Sequence, residues 1–253
     1  MVKIILSGYS GKMGKTIRRM CEAHDSFEIV AGIAKDHDVV PFSTFSAPHD
    51  CGMVGDVIID FSNAAAVEPL LDFALKTNTP VIICTTGLSE ESLAAIRSAS
   101  EKVAVFRSAN MSLGVNLLAQ LVKKATDVLY HEGFDIEILE KHHNLKVDAP
   151  SGTALLLADA ANSRLDGKLV YTYDRSTVRQ QRGHSELGIH SVRGGTIVGE
   201  HSVIFAGQDE VIELSHSALS KAVFAQGALK AAEFLKGKPP GFYDMTHVLA
   251  GII

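Results

Sequence analysis

The chain has 253 residues, of which 46% are hydrophobic and 21% charged, a globular composition long enough for one large domain or two modest ones. Its formal net charge of −5 excludes the basic surface of a nucleic-acid-binding protein and a polybasic membrane patch. Three cysteines without a CxxC pair indicate reduced thiols. No apolar run is long enough for a signal peptide or a membrane helix, so we expect a cytoplasmic protein.

The chain begins with a nucleotide-binding pattern. A predicted strand, Val2 to Leu6, leads directly into the turn Gly8-Tyr-Ser-Gly-Lys-Met-Gly14 and then into a predicted helix from Lys15 to Ala23. In such a turn the first glycine permits the tight bend, the second lets the backbone approach a pyrophosphate, and the third lets the helix pack closely on the strand. The GxxGxxG spacing departs from the usual GxGxxG, and a purely structural turn is the alternative. Strand, turn and helix in this order favour cofactor binding.

The second predicted strand, Phe27 to Ile33, ends at the corner Ala34-Lys35-Asp36-His37. A dinucleotide site that prefers NAD usually has an acidic residue here to bind the ribose hydroxyls. Lys35 suits the 2′-phosphate of NADPH and Asp36 suits the 2′-hydroxyl of NADH, while a solvated loop of mixed charge explains either residue equally well. The sequence therefore leaves NADH or NADPH open and favours the use of both.

Strands and helices continue to alternate through the first half. The further predicted segments are the strands Val57–Phe61, Pro80–Cys84 and Val103–Phe106, the helix Ala64–Lys76, a helix capped by Ser89, and a helix ending near Val128. This alternation predicts a parallel, doubly wound sheet, which binds ligands outside the carboxyl ends of its strands. Small polar loops are predicted at that edge at Gly8–Gly14, Cys84–Gly87 and Ser108–Met111. Simple turns are an equally good interpretation of the last two.

The pattern changes after Asp135, where predicted strands follow one another around one helix, Thr153 to Leu165. The strands are predicted at Phe134–Leu139, Leu169–Tyr173, Ile189–Val192, Thr196–Val198, Ser202–Ala206 and Val211–Ser215. This is the α+β pattern of an open, mixed or antiparallel sheet. The glycines of segment 183–200 indicate bulges and tight loops with a functional or interface role. A helix from Ser220 to Leu235, capped by Ser220, and an apolar tail complete the chain.

Chemistry-bearing residues concentrate in Ile138-Leu-Glu-Lys-His-His-Asn-Leu-Lys-Val-Asp-Ala-Pro-Ser-Gly-Thr-Ala154, a strand-to-helix corner. Its lysines and histidines suit proton transfer to a substrate that has accepted a hydride at a C=C or C=N bond. Its Pro-Ser-Gly-Thr turn opens a helix whose first backbone N–H groups form an anion site. The alternatives are an ordinary loop lysine at Lys146 and a turn cap at Asp148.

The adjacent residues His142 and His143 are also candidates for a metal site. No third ligand follows at a recognised spacing, and consecutive residues of a strand point to opposite faces. We therefore expect no metal.

The corner resembles the signature of the 4-hydroxy-tetrahydrodipicolinate reductases, also called dihydrodipicolinate reductases, of the diaminopimelate–lysine pathway. The resemblance extends in family order over Gly8–Gly14, Asp60-Phe-Ser62, Thr85-Thr-Gly87, Ala109-Asn-Met-Ser112 and Arg193-Gly-Gly-Thr-Ile-Val-Gly-Glu-His201. It implies NAD(P)H-dependent reduction of 4-hydroxy-tetrahydrodipicolinate to tetrahydrodipicolinate, with hydride transfer to ring C4, in a homotetramer. It also implies a Rossmann-like α/β domain (1–112 and 221–253) and an α+β substrate-binding and oligomerisation domain with an open mixed or antiparallel sheet (113–220).

The resemblance also implies roles for individual residues. His142 would be the proton donor and acceptor, and Lys146 the proton donor. The substrate's carboxylates and ring would be held by His143, Lys146, Gly152 and Thr153. NADH or NADPH would lie along Gly8, Tyr9, Ser10, Gly11, Lys12, Met13, Lys35, Cys84, Thr85, Thr86, Ser108, Ala109, Asn110 and Met111.

Two positions depart from the family pattern. Cys84 stands where many members have glycine, so only a backbone role is expected of it. Ala34 stands where some members have an acidic residue, which weakens a strict preference for NADH.

Two other classes remain as alternatives. An aldehyde or sugar dehydrogenase would need a catalytic cysteine or a Tyr-x-x-x-Lys pair, and no tyrosine of this chain has a lysine four residues later. A dinucleotide-binding regulator would usually add a basic DNA-binding patch, which the charge balance opposes. Such a regulator would bind the cofactor without consuming it.

Overall fold

The computed structural model describes residues 1–36 and 38–251, so His37 of the predicted corner and the last two residues of the tail lie outside the described residues. The strands are β1 (Val2–Ser7), β2 (Phe27–Ile33), β3 (Ser43–Phe45), β4 (Val57–Asp60), β5 (Val81–Ile83), β6 (Ala104–Arg107), β7 (Asp135–His142), β8 (Val170–Thr172), β9 (Glu186–Arg193), β10 (Gly199–Ala206), β11 (Val211–Ala218) and β12 (Gly241–Tyr243). The α-helices are α1 (Lys12–Glu22), α2 (Ala64–Thr77), α3 (Glu90–Ser100), α4 (Leu113–Leu129), α5 (Gly152–Asn162), α6 (Ala222–Leu235) and α7 (Met245–Ala250).

The chain divides into two compact units. Unit 1 contains Met1–Ser112 and the chain from Ala222 onward, and unit 2 contains Leu113–Lys221. Neither unit has, among its described helices, one that is both long and apolar enough to cross a membrane.

Unit 1 is built on a parallel sheet. Its strands lie in the order β12-β6-β5-β4-β1-β2-β3. Side chains of the central strands, such as Ile4, Ile58 and Ile82, are fully buried, as expected of strands covered on both faces. Because all pairings are parallel, the loops after β1, β2, β4, β5 and β6 meet at one edge of the sheet. The predicted doubly wound sheet is confirmed.

Unit 2 is built on a mixed sheet in the order β11-β10-β7-β9-β8. Strand β10 runs antiparallel to β7 and β11, whereas β9 runs parallel to β7 and β8. One face of the sheet packs against α4 and α5, with Ile138 and Phe205 in the same core as Leu118 and Leu157. The alternation of buried and half-buried residues along β10 follows from this one-sided cover. The prediction of an open mixed sheet is confirmed.

The predicted strand Thr196–Val198 is wrong, because this segment is a turn and a connection. Strand β10 pairs with β7 rather than with β9, so the chain must cross the end of β7 after β9 finishes. Gly195, with φ +48°, bends the chain there, and its carbonyl accepts the backbone N–H of Asn144 at 3.2 Å. The glycine-rich segment 183–200 is therefore mostly strand, with its tight turn confined to this crossing.

Several element ends differ from the predictions. Helix α1 begins at Lys12 rather than at Lys15, because Gly11 takes the extended conformation of an N-cap. Strand β7 continues past Leu139 to His142, where it is held between β9 and β10. The Ser89 cap is confirmed, with its hydroxyl accepting the N–H of Ser92 at 3.2 Å. Helix α6 begins two residues after Ser220.

Candidate active site

In unit 1 the glycine turn places the start of α1 at the carboxyl end of β1. Gly8 has φ +78°, and a Cβ there would lie 2.5 Å from the carbonyl oxygen of Phe61. A Cβ on Gly14 would lie 2.3 Å from the carbonyl oxygen of Gly8, so only glycine lets the helix pack on the turn. Gly11, by contrast, is the exposed N-cap of α1. The first and third glycines shape the turn. Gly11 is exposed, but its own N–H donates to the carbonyl oxygen of Gly8 at 3.1 Å, so an anion here would meet the N–H groups that follow Gly11 in the first turn of α1.

Beside this turn lies a cavity of about 490 Å³. Of the predicted cofactor residues, those that line it are Gly8, Ser10, Gly11 and Lys35. Tyr9 does not, because its ring is fully buried and packs edge-on against Phe42 with the ring centres 5.7 Å apart. Tyr9 is therefore placed to offer a ligand only its backbone. Lys12 is exposed and Met13 half-buried in the first turn of α1.

The cavity has a second wall that the sequence did not reveal. It is formed by residues after β3 and after β4: Ser46, Ala47, Pro48, His49, Phe61, Ser62, Asn63, Ala65, Ala66 and Pro69. Strand β3 has only three residues and carried no detectable periodicity. The Asp60-Phe-Ser62 segment did follow a predicted strand, and that position at the sheet edge was the signal available.

A buried carboxylate joins two of the edge loops. Asp60, fully buried at the end of β4, accepts the backbone N–H of Ser62 at 3.1 Å and the hydroxyl of Thr85 at 2.6 Å. Burial and the nearby Asp60 raise the pKa of the Cys84 thiol well above its usual range. A neutral thiol is a poor nucleophile, which opposes the aldehyde dehydrogenase alternative. Thr86 is exposed at the same loop.

The third edge loop, after β6, is fixed by α6. The side-chain oxygen of Asn110 accepts the N–H of Ser112 at 2.8 Å, and Met111 is buried. A Cβ on Gly227 of α6 would lie 1.7 Å from the carbonyl oxygen of Met111. Gly227 thus lets the helix approach the loop, and a glycine inside a helical pattern was its only sign in the sequence. Ser108 and Ala109, which precede Asn110 in this loop, are half-buried and exposed, respectively.

In unit 2 the histidine at the end of β7 is bound to a buried carboxylate. The Nδ1 atom of His142 lies 2.6 Å from Oε2 of Glu140, two residues earlier on the same face of the strand. Glu140 is fully buried, whereas the His142 side chain is 12% exposed. A carboxylate at Nδ1 orients the ring, as in catalytic histidine–carboxylate pairs.

Glu140 is saturated with donors. Arg193 binds it through both terminal guanidinium nitrogens, at 2.7 and 2.8 Å, Ser191 donates its hydroxyl at 2.7 Å, and Ser151 donates its backbone N–H at 3.1 Å. Burial raises the pKa of Glu140, but the hydrogen bonds from Arg193, Ser191 and His142 outweigh it and hold the pKa at about 2. The carboxylate is therefore ionised at neutral pH and acts only as an acceptor.

A second histidine, His201, lies on the neighbouring strand β10, directly opposite Glu140 of β7. The His201 ring is 5.1 Å from the His142 ring, and its Nε2 atom is 2.9 Å from the hydroxyl oxygen of Ser151. Burial and the neighbouring His142 lower the pKa of His201 to about 4, so it is neutral at neutral pH. The charge of Lys146 also lowers the pKa of His201.

The other predicted residues of unit 2 follow β7. Lys146 Nζ binds both carboxylate oxygens of Asp148, at 2.7 and 2.8 Å, and this contact lowers the pKa of Asp148. His143 has a buried Nδ1 without a hydrogen-bond partner in the described part of the chain. Gly152 and Thr153 form the first turn of α5, and the Ser151 hydroxyl caps it by accepting the N–H of Ala154 at 3.1 Å.

Gly152 itself is exposed, and a Cβ there would meet no atom within 4 Å. The start of α5 is therefore open to a ligand, as an anion site at a helix N-terminus needs to be.

Unit 1 has a glycine turn beneath a helix N-terminus at the edge of a parallel sheet. Unit 2 has a carboxylate-bound histidine, a lysine and an open helix start. These features define the class of protein as an oxidoreductase with a dinucleotide cofactor. The model of the dihydrodipicolinate reductase N-terminus matches residues 2–111, and that of the C-terminus matches residues 114–249. The chain belongs to the dihydrodipicolinate reductase family, whose members use NADH or NADPH.

Individual relatives agree with this assignment. The chain is 54% identical to the 4-hydroxy-tetrahydrodipicolinate reductase of Caldanaerobacter subterraneus subsp. tengcongensis, with 98% of each chain covered. It is 49% identical to the enzyme of the same name from Clostridium botulinum, again with 98% of each covered. Its fold matches the solved structure of dipicolinate-bound dihydrodipicolinate reductase from Paenisporosarcina sp. TG-14 with a TM-score of 0.81, at 22% identity over 96% of this chain and 97% of that one.

Proposed function

We propose that this protein reduces 4-hydroxy-tetrahydrodipicolinate, by way of its dehydrated form dihydrodipicolinate, to tetrahydrodipicolinate with release of water, using NADPH or NADH, in lysine and diaminopimelate biosynthesis. The observation that carries the proposal is the arrangement in unit 2 of the Glu140-bound His142, the Lys146 ammonium and the open start of α5. Relatives that cover nearly the whole chain bear the name of this activity.

His142 and Lys146 supply the proton that the substrate ring takes up after hydride transfer. When bound, the nicotinamide cofactor supplies a hydride, which we assign to C4 of the substrate ring. Loss of the 4-hydroxyl group as water gives dihydrodipicolinate, whose conjugated C=C–C=N system accepts that hydride at C4. The negative charge that this leaves on the ring is neutralised by a proton from the His142 and Lys146 pair. The Nδ1 atom of His142 is engaged by Glu140, so the ring exchanges its proton at Nε2.

The substrate's carboxylates bind at the start of α5 and at Lys146. The first N–H groups of a helix lack acceptors within the helix, and the helix dipole favours a negative charge there. Gly152 and Thr153 supply this turn, and His143 offers a ring nitrogen whose partner is missing. A substrate carboxylate would take the place of Asp148 on the Lys146 ammonium. The relative from Paenisporosarcina binds dipicolinate, a planar ring dicarboxylate.

The cofactor binds to unit 1. The turn Gly8–Met13 holds the pyrophosphate at the start of α1, and Lys35 lies at the end of β2, where the ribose of an adenosine would be. The loops Cys84–Thr86 and Ser108–Met111 complete the site through their backbones. The cavity, the exposed N-cap at Gly11 and the neutral Cys84 all fit such a ligand.

Unit 2 is also the oligomerisation unit of a cytoplasmic homotetramer. The face of its sheet opposite α4 and α5 carries half-buried or exposed apolar side chains at Leu139, Val192 and Ile204. A surface of this kind, with charged residues around the apolar ones, suits a contact between copies of the chain.

The proposal is tested by following NADH and NADPH absorbance with the cyclic substrate. We expect wild-type protein to oxidise both cofactors, and Lys146→Ala to lower kcat/KM by about 10²- to 10⁴-fold, the usual contribution of a positioned acid. Lys168→Ala removes an exposed lysine of the same unit and should leave kcat/KM unchanged. A Lys146→Ala protein with wild-type kcat/KM would exclude the assigned role. A protein that binds cofactor but never consumes it would be a regulator.

A further inference from the structure

The carboxylate of Glu140 holds three parts of unit 2 together. It binds His142 on its own strand, Arg193 and Ser191 on β9, and the N-cap residue Ser151 of α5. These bonds satisfy both carboxylate oxygens, and the Glu140 side chain itself has no solvent exposure. Losing the charge here would leave the Arg193 guanidinium, whose side chain is 20% exposed, without its counterion.

We infer that Glu140 is the positioning residue of the proton-transfer site: it fixes His142 with its proton on Nδ1 and its basic lone pair on Nε2, and it anchors the start of α5 at the same time. This inference rests on the proposed function, since it explains how that site is kept ready. Because every bond to Glu140 has the carboxylate as acceptor, the hydrogen of the His142 contact must belong to the ring. The neutral ring then has one tautomer.

The opposite side of the His142 ring is kept clear by a missing side chain. A Cβ on Gly199, the first residue of β10, would lie 3.1 Å from Nε2 and 3.4 Å from Cδ2 of His142. That contact is closer than ordinary van der Waals distance, so a side chain there would press on the nitrogen that exchanges the proton. Glycine at this position and glutamate at 140 thus act on opposite edges of one ring.

Arg193 connects the same carboxylate to the loop that carries the other proposed acid. Its second terminal nitrogen also donates to the carbonyl oxygen of Asp148 at 2.7 Å, and the Asp148 side chain holds Lys146. His142 and Lys146 are therefore joined through Glu140, Arg193 and Asp148. The orientation of the histidine, the helix start and the lysine loop depend on one buried charge.

The other charged or titratable groups that face His142 come from two neighbouring strands and the following loop. Arg193 on β9 is bound to Glu140, and His201 on β10 is neutral at neutral pH. Lys146 follows β7 in sequence, and its charge acts on the same cluster. None of these groups accepts a proton from Nδ1 of His142, so the tautomer is set by Glu140.

The test combines nitrogen-15 NMR of the histidine rings with kinetics. In wild-type protein we expect neutral His142 to show a protonated Nδ1 and an unprotonated Nε2, its signals being identified by their loss in His142→Gln. In Glu140→Gln we expect the proton to move at least partly to Nε2 and kcat to fall by about 10²- to 10⁴-fold. The Kd for NADH, a property of unit 1, should stay as in wild type, and an unchanged circular dichroism spectrum verifies that unit 2 is folded.

Glu132→Gln is the matched control, because it removes one glutamate charge from an exposed turn of the same unit. It should change neither the ring signals nor kcat. The inference is overturned if neutral His142 in wild-type protein carries its proton on Nε2, a result that needs no variant to fold. It is also overturned if folded Glu140→Gln keeps the wild-type kcat. If wild-type protein does not turn over the cyclic substrate, the proposed function fails, while the ring signals still decide the role of Glu140.

Discussion

Each unit of this protein contains one fully buried carboxylate that joins segments distant in sequence. Asp60 links the loops after β4 and β5, and Glu140 links β7, β9 and the start of α5. A buried charge is costly unless its hydrogen bonds are complete, and both carboxylates are bound by donors from more than one segment. Loops tied in this way keep their geometry before any ligand arrives, which is what a positioned reaction centre needs.

At the scale of single residues, Lys35 is expected to read the 2′-phosphate of NADPH. Its exposed side chain lies at the wall of the unit 1 cavity, beyond the end of β2. Lys35→Ala should raise KM for NADPH by roughly tenfold, equivalent to about 1.4 kcal/mol, because a cation paired with the phosphate is lost. KM for NADH should change much less. Steady-state kinetics with both cofactors measure the two values.

Lys102→Ala is the control for this substitution, since it removes an exposed lysine of unit 1 that does not line the cavity. It should leave both KM values unchanged. Equal losses with NADPH and NADH in Lys35→Ala would show that the lysine binds a part common to both cofactors.

At the scale of elements, the contact between α1 and the glycine turn depends on Gly14. Its Cβ would meet the Gly8 carbonyl oxygen at 2.3 Å and the backbone of Tyr9 at 2.6 Å, neither of which can yield without moving the turn. Gly14→Ala should lower the free energy of unfolding by about 1–3 kcal/mol or more. It should also weaken NADH binding, because the same displacement of the turn disturbs the proposed cofactor site.

Gly52→Ala provides the comparison, because a Cβ there meets nothing within 4 Å. Its stability should stay within about 0.5 kcal/mol of wild type, with unchanged NADH affinity. Urea unfolding and fluorescence titration with NADH measure both quantities. A Gly14→Ala protein as stable as Gly52→Ala would mean that the helix does not pack on the turn as described.

The periodicity of hydrophobic residues predicted the long helices and strands well. It failed where a segment's structure depends on which strands pair in the complete sheet. Strand β2 was predicted at its observed bounds, because its residues after Glu28 are all non-polar and its last three are buried. Strands β3 and β12 have three residues each and lie at the sheet edges, so they carry too little pattern to detect. Thr196–Val198 looks like a strand locally, but β10 pairs with β7 and the segment must cross.

The candidate site likewise has residues that the sequence suggested and a residue that only the structure revealed. His142 and Lys146 could be proposed from the sequence because their chemistry is visible in the residue types of one short segment. The role that we infer for Glu140 could not be proposed in this way, since it depends on Arg193 and Ser191, which lie 53 and 51 residues further along the chain. Only pairing of β7 with β9 brings these donors to the carboxylate. Residue type indicates the reacting group, whereas its support depends on strand register.

At the scale of the whole molecule, we expect the open face of the unit 2 sheet to form a contact between subunits. Two glutamates on neighbouring strands flank Ile204 of β10: Glu137 on β7 and Glu213 on β11. A lysine at position 204 would therefore find two opposite charges within an isolated unit, so Ile204→Lys should fold. In a tetramer built on this face, the same lysine would be buried between subunits at a high desolvation cost.

We therefore expect light scattering to give four chain masses for wild-type protein and a smaller species for Ile204→Lys, with an unfolding temperature close to that of wild type. Val54→Lys places the same charge at an exposed apolar position of unit 1, 84% exposed, and should remain a tetramer. A tetrameric Ile204→Lys protein would place the subunit contact elsewhere. A dimer would show that this face forms one of two distinct contacts, since a closed tetramer with twofold axes needs a second interface.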